Sequence, residues 1–291
     1  MTATPTGILV GVDGSPESEA ALRWATAEAL MREQPITLLY AIAPVVVSWP
    51  VAYLEASYAN SQEEAARGVL ENAQKTVEAS GGGSRPAIKT DVVHDAAPTA
   101  LVAGSRDAYM TVVGSRGLGA VGRAFLGSVS SGLVHHGHGP VAIVHGYGEQ
   151  APDRTSPVLL GIDGSAASEE ATALAFDEAS RRGVELVALH AWSDVGVFPV
   201  LGMDWHQYED EGHEVLGERL AGWQERYPDV HVQRRIVCDQ PARWLVDASQ
   251  QAQLVVVGSR GRGGFEGMVL GSVAAKVSRA AHAPVIVVRP R

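Results

Sequence analysis

The chain has 291 residues, with 23 Lys and Arg against 33 Asp and Glu, for a formal net charge of −10. That length suits about two domains, and 46% apolar against 19% charged residues excludes a disordered or coiled-coil chain. The acidic balance argues against nucleic acid or an anionic membrane as partner, and the single cysteine, Cys238, excludes an intrachain disulfide and a cysteine-based zinc cluster.

The N-terminus, Met1-Thr-Ala-Thr-Pro-Thr, has neither a basic region nor a long apolar core. It is not read as a signal peptide, and a cytoplasmic location is expected. A first short apolar strand is predicted at Ile8–Val12, then a helix at Pro16–Arg32, then a strand at Thr37–Ile42. Ile36–Leu54 is a 19-residue stretch without a charge, long enough to span a bilayer. Pro44 and Pro50 interrupt it, and it reads as a buried strand running into an apolar loop. Leu54–Asn60 is left unassigned. A helix follows around Glu63–Ala79, a strand at Ile88–Val93, a short helix near Thr99–Arg106, a strand at Met110–Val113, a helix after Ser128 and a strand at Val141–Val144.

The same series then recurs. Strands are expected at Val158–Ile162, Glu185–His190, Val230–Val237, Leu254–Val257 and Val285–Val288. Helices are expected at Ala166–Arg182, around His213–Tyr227, near Ala242–Gln250 and after Ser272. At an offset of 150, Gly7–Ala41 and Pro157–Ala191 share 14 identities in 35 positions. At an offset of 144, Met110–Val144 and Leu254–Val288 share 15 in 35, so the first half carries six extra residues between Ile42 and His94. A period this long means two similar domains, placed at 1–148 and 149–291, with Gly146–Ser156 as the polar linker. Five strands alternating with four helices imply, in each, a doubly wound α/β domain with a five-stranded parallel sheet.

Ligands of such sheets sit beyond the carboxyl ends of the strands, and two repeated loops fall there. The first is Gly11-Val-Asp-Gly-Ser15, repeated as Gly161-Ile-Asp-Gly-Ser165. Ser15, ahead of Pro16, and Ser165 read as helix N-caps. Asp13 and Asp163 read as turn formers or as acceptors for ribose hydroxyls or an adenine amino group. The second is Gly114-Ser-Arg-Gly117 with Gly127-Ser128-Val129 nine residues on, repeated as Gly258-Ser-Arg-Gly261 with Gly271-Ser272-Val273. Glycines let backbone approach a ligand, a helix start favours a phosphate, and Arg116, Arg123, Arg260 and Arg262 could offset its charge.

Other motifs point less clearly. Gly117-Leu-Gly119-Ala-Val-Gly122 matches a dinucleotide fingerprint but follows the fourth strand, and its repeat has Glu266 in place of the third glycine. No lysine precedes Ser128, so there is no P-loop. Of His135, His136 and His138 only the last recurs, as His282, so helix C-terminal histidines are expected and no metal. Cys238 follows an apolar strand and reads as structural or incidental. Trp49, Trp192 and Trp205 are assigned to apolar loops near a ligand mouth.

On both GVDGS-type loops and both G-x2-G-x9-G-S loops, the chain resembles the universal stress protein family in its tandem, ATP-binding form, especially mycobacterial members that restrain growth. The resemblance covers almost the whole chain. It implies a Rossmann-like fold akin to adenine nucleotide α-hydrolases, and one ATP per domain, with magnesium usually brought by the phosphates. Gly11 and Gly161 mark the first loops, and Asp13 and Asp163 would meet adenine or ribose. Ala41 and Ala191 would meet adenine through the backbone. Gly114, Gly117, Gly127, Ser128 and Val129 would hold ribose and phosphates in one half; Gly258, Gly261, Gly271, Ser272 and Val273 would do so in the other. The family pairs through the last strand of each domain, so an intrachain pseudo-dimer and a homodimer are expected. The implied role is a nucleotide-dependent regulator of stress response, dormancy or growth, acting through an unknown protein partner. The alternatives are a weak ATPase or phosphotransferase, a nucleotide-independent interaction module, and a cyclic-nucleotide binder.

Overall fold

The structure, a computed structural model, describes residues 7–44, 55–118, 125–146, 153–191, 206–261 and 269–289. It divides into two compact units that separate between Gly146 and Tyr147.

The first unit runs β1 (Ile8–Gly11), α1 (Pro16–Met31), β2 (Ile36–Ala41), α2 (Glu55–Ser80), β3 (Ile88–Val93), α3 (Ala97–Gly104), β4 (Met110–Gly114), α4 (Ser128–His136) and β5 (Pro140–Val144). Its strands are all parallel, in the order β3-β2-β1-β4-β5. Ile8 lies opposite Ile36 on one side and Met110 on the other. The chain therefore steps outward from β1 to β3, then crosses back to β4, and strand order reverses between β1 and β4. Right-handed crossovers put α1 and α2 on one face and α3 and α4 on the other, and each pair packs together.

The second unit repeats this with β6 (Val158–Gly161), α5 (Ala166–Arg182), β7 (Leu186–Ala191), α6 (His206–Arg226), β8 (Val232–Val237), α7 (Pro241–Ala248), β9 (Leu254–Gly258), α8 (Ser272–Ala280) and β10 (Val285–Val288). Its order is β8-β7-β6-β9-β10, again parallel.

Burial explains the strands. Met110–Val113 and Leu254–Val257 are buried throughout, as strands covered on both faces must be. The outermost strands, β3 and β8, are half-exposed and carry Lys89 and Asp91, and Gln233, Arg234 and Arg235; charges there blunt an edge. Half of the residues that α1 buries are alanine (Ala20, Ala21, Ala25, Ala29), which lets the helix lie close to the sheet. Two helices begin earlier than apolar periodicity suggests. α2 starts at Glu55 and α6 at His206, because their first turns are polar runs that carry no stripe to detect. The segments holding Trp49, Trp192, Trp205, Arg123, Arg262, Gly119 and Gly122 lie outside the described residues.

Candidate functional site

The first loop is built by side chains closing on backbone. Ser15 caps α1: its Oγ accepts the Ser18 N–H at 3.2 Å, and Pro16 follows as first helical residue. Ser18 Oγ accepts the Asp13 N–H at 3.3 Å, and Asp13 Oδ1 accepts the Ser15 N–H at 2.9 Å. The second unit repeats all three: Ser165 accepts from Ser168 N–H at 3.2 Å, Ser168 from Asp163 N–H at 3.1 Å, and Asp163 from Ser165 N–H at 2.9 Å. Each aspartate thus shapes its own turn. Sequence reasoning missed Ser18 and Ser168, although they are identical in the repeat.

Asp13 does a second thing. Its Oδ2 accepts the Leu118 N–H at 3.2 Å, 105 positions away. The carboxylate therefore ties the end of β1 to the loop after β4, which strand order makes neighbours. This tie explains Gly117. A Cβ there would strike Asp13 Oδ2, and one on Gly261 would strike Asp163 Oδ2.

Gly114 and Gly258 answer to a different contact. A Cβ on Gly114 would lie 2.8–2.9 Å from the backbone and Cβ of Glu17, and one on Gly258 would lie 2.7 Å from the Ala167 carbonyl oxygen. These glycines let the first turn of α1 or α5 sit on the strand end. Gly11 and Gly161 leave room for Leu101 of α3 and Leu245 of α7.

The second loop folds back on itself. The Ser115 N–H donates to Val144 O at 2.8 Å and the Gly127 N–H to Ser115 O at 2.9 Å. Ser259 and Gly271 repeat both bonds at 2.8 Å. Gly127 is the N-cap of α4 and Gly271 of α8, each without a side-chain cap. The first amides of α4, from Ser128 to Ser130, thus open a helix that no side chain closes, which is an anion-favouring arrangement. Sequence reasoning also missed Glu17, whose Oε1 accepts from Arg116 at 2.7 Å.

These pieces surround one cleft of about 730 Å3 at the reversal of strand order. Gly11 and Asp13 enter it from the end of β1 and the loop after it, Ala41 from β2, Gly114, Arg116 and Gly117 from the end of β4 and the loop after it, and Gly127, Ser128 and Val129 from the start of α4. Leu39, Tyr40, Ala97 and Leu101 add walls, and Leu118 and Phe125, 76% and 72% exposed, stand at its rim. In the second unit Gly161 ends β6 and Asp163 follows it, Ala191 ends β7, Gly258 ends β9 and Gly261 follows it, and Gly271, Ser272 and Val273 open α8. There His190 takes the place of Tyr40; it is buried, with Nδ1 2.8 Å from Ile162 O.

The histidine run sits elsewhere. His135 and His136 close α4, and the Arg106 Nε–H donates to His138 Nε2 at 3.3 Å. The recurrence of His138 as His282 is a backbone matter: their N–H groups donate to Ser105 Oγ and Ser249 Oγ, each at 2.9 Å. Among the described residues no three His, Cys, Asp or Glu side chains gather as a metal site, and no helix is long and apolar enough to cross a membrane.

Comparison with known proteins shows the family and the fold. The profile of the Universal stress protein family matches residues 6–145 and again 155–289. The chain is 55% identical over 292 residues to a universal stress protein of Mycolicibacterium smegmatis, covering 100% of this chain and 99% of that one. It is 50% identical over 285 residues to a universal stress protein of Mycobacterium tuberculosis, covering 97% and 96%. Among solved structures, a universal stress protein from Archaeoglobus fulgidus superposes with a TM-score of 0.71 at 22% identity, over 97% of this chain and 98% of that one.

Proposed function

The chain belongs to the universal stress protein family in its tandem form, and from that premise we propose that it is an ATP-binding regulator of stress response, dormancy or growth. The single observation that carries the reading is the first unit's cleft, where an uncapped helix start, a glycine loop and a turn-held aspartate converge at the reversal of strand order. The residues suit the ligand chemically. First-turn amides of α4, with Ser128 and Val129, would hold phosphates. Asp13 would accept from ribose or the adenine amino group. The backbone at Ala41 would face the base. The cleft volume falls in the range of small-molecule sites. Any magnesium would come with the phosphates, since Asp13 is the one carboxylate among the described lining residues.

Slow or absent turnover goes with this role. The described lining holds no histidine, lysine or cysteine to act as base or nucleophile. Asp13 already accepts two backbone N–H bonds, one on each carboxylate oxygen, and so serves first as a structural tie. A partner would read the nucleotide-bound conformation, and two copies of the chain would pair.

The test is to denature freshly purified protein and identify released small molecules by chromatography and mass spectrometry. About two ATP per chain supports the regulator. ADP in its place favours a weak ATPase, and a cyclic nucleotide changes the ligand. No nucleotide, with none taken up from ATP and magnesium, refutes the proposal and leaves an interaction module.

A further inference from the structure

A second cavity, of about 400 Å3, lies in the second unit on the sheet face that α7 covers. Its floor is one row of paired residues, Leu159 of β6, Val187 of β7 and Gln233 of β8. Each is the second residue of its strand, so the cavity sits toward the amino ends of the strands, away from the glycine loops. Ala248, which ends α7, and Ala252 form a wall.

The internal repeat explains the opening. In the first unit a Cβ on Gly104 would lie 2.8 Å from Leu9 Cδ2, so α3 ends directly on that leucine. Ala248 holds the same position in α7; the residues that follow, Ser105 and Ser249, accept the matching N–H bonds of His138 and His282. The added methyl keeps the end of α7 off Leu159, and the cavity lies between them.

The polar residues differ as well. Gln233, Arg235 and Gln251 line the cavity, where the first unit has Lys89, Asp91 and Asp107. Arg235 is two positions from Gln233, hence on the same face. Its guanidinium lies 5.4 Å from the Trp244 ring centroid, an arrangement that orients the group and leaves its N–H edge available. Among the described residues no carboxylate pairs with Arg235; Asp247 of α7 pairs with Arg243 at 3.8 Å. Arg234 also borders the cavity, but its Nη2 donates to Gln224 of α6 on the opposite face, at 3.5 Å. The lining holds no acidic side chain.

We infer that this cavity binds a small organic monocarboxylate. The carboxylate takes the fork of Arg235 through two N–H bonds, the amides of Gln233 and Gln251 flank it, and the apolar body lies on Leu159 and Val187. One stacked guanidinium matches one negative charge. A phosphate dianion suits the cavity less, because the C-terminal end of α7 borders it and the helix dipole there opposes a second negative charge. The site does not depend on the nucleotide cleft and stands whether or not that cleft holds ATP.

The full-length protein is titrated with benzoate, hexanoate, benzamide and inorganic phosphate, and the Trp244 indole N–H resonance, assigned through Trp244→Phe, is followed by NMR. Benzoate and hexanoate should saturate the shift, and benzamide and phosphate should bind at least about tenfold more weakly. Arg235→Gln should weaken benzoate about tenfold and leave benzamide unmoved. Arg235→Asp with Gln251→Asp, which copies the first unit, should abolish carboxylate binding; both side chains are exposed, so an unchanged melting temperature is expected. Val187→Phe, which fills the floor, should block both carboxylates with Arg235 in place. Benzoate binding that survives Val187→Phe marks a surface arginine and overturns the inference. So does an affinity unmoved by Arg235→Gln, equal affinity for benzoate and benzamide, phosphate bound more tightly than either carboxylate, or no saturation by carboxylate at about 20 mM.

Discussion

Replacing Gly117 by alanine should destabilise the first unit through one atom. Among the described residues beyond its chain neighbours, the new Cβ would meet the Asp13 carboxylate and no other group within 4 Å. Gly117 is not among the residues with positive φ, so alanine is otherwise tolerated by the backbone. To make room, Asp13 must leave the Leu118 N–H, which it holds at 3.2 Å, while its other oxygen keeps the Ser15 N–H at 2.9 Å. Losing one charge-assisted hydrogen bond costs about 1.5–3 kcal/mol. For a unit of this size that is a fall in melting temperature of roughly 3–12 °C. The assay is a double-mutant cycle by scanning calorimetry, with Gly117→Ala, Asp13→Ala and the pair. Without the carboxylate the alanine has nothing to displace, so its cost should vanish, leaving a coupling of at least about 1 kcal/mol. Gly261→Ala with Asp163→Ala should repeat the result in the second unit. An alanine cost that is the same with and without Asp13 would refute the reasoning.

Four other outcomes are expected. Glu28 and Arg32 pair with side chains 0% and 5% exposed, and Arg32 also lies 5.0 Å over the Tyr109 ring. Glu28→Ala should therefore cost about 3–5 kcal/mol in denaturant unfolding, and replacing both residues by apolar ones of similar size far less; a loss under about 1 kcal/mol would contradict this. Gly68 of α2 and Gly222 of α6 have open space where a Cβ would go, so alanine at each should stabilise by about 0.5–1 kcal/mol, read from melting curves. Burial, then the charge of Asp239, raises the Cys238 thiol above its ordinary value. Less thiolate is then present at neutral pH, and alkylation should run slower than for glutathione and accelerate as pH climbs through the thiol range; a faster reaction than glutathione refutes the shift. Light scattering after size exclusion should give the mass of two chains, and a monomer mass at micromolar concentration would end the proposed pairing.

Much of the architecture is legible before any coordinates. Five short strands in each half, their alternation with helices and the internal repeat are local patterns. So is the Ser15-Pro16 helix start, because a cap is made by residues three apart. The glycine loops are also visible, since two copies of the same spacing stand out against divergent surroundings. The starts of α2 and α6 were not legible, because polar first turns carry no periodic signal.

The sequence by itself determined the tandem α/β fold, the positions of both loop pairs and the family, because all of these are written in spacing along the chain. Only the tertiary structure decided what each residue of the loops is for. Gly114 and Gly258 read as openings for a ligand, yet the group that a side chain would meet there is the first turn of a helix. Asp13 reads as a turn former or a ligand acceptor, and it also bridges to Leu118 across 105 positions. Glu17 has no counterpart in the second half and no motif to mark it, and it neutralises Arg116 from 99 positions away. These contacts exist because β1 and β4 are neighbours in the sheet, and strand order is set by long-range packing that no local pattern records.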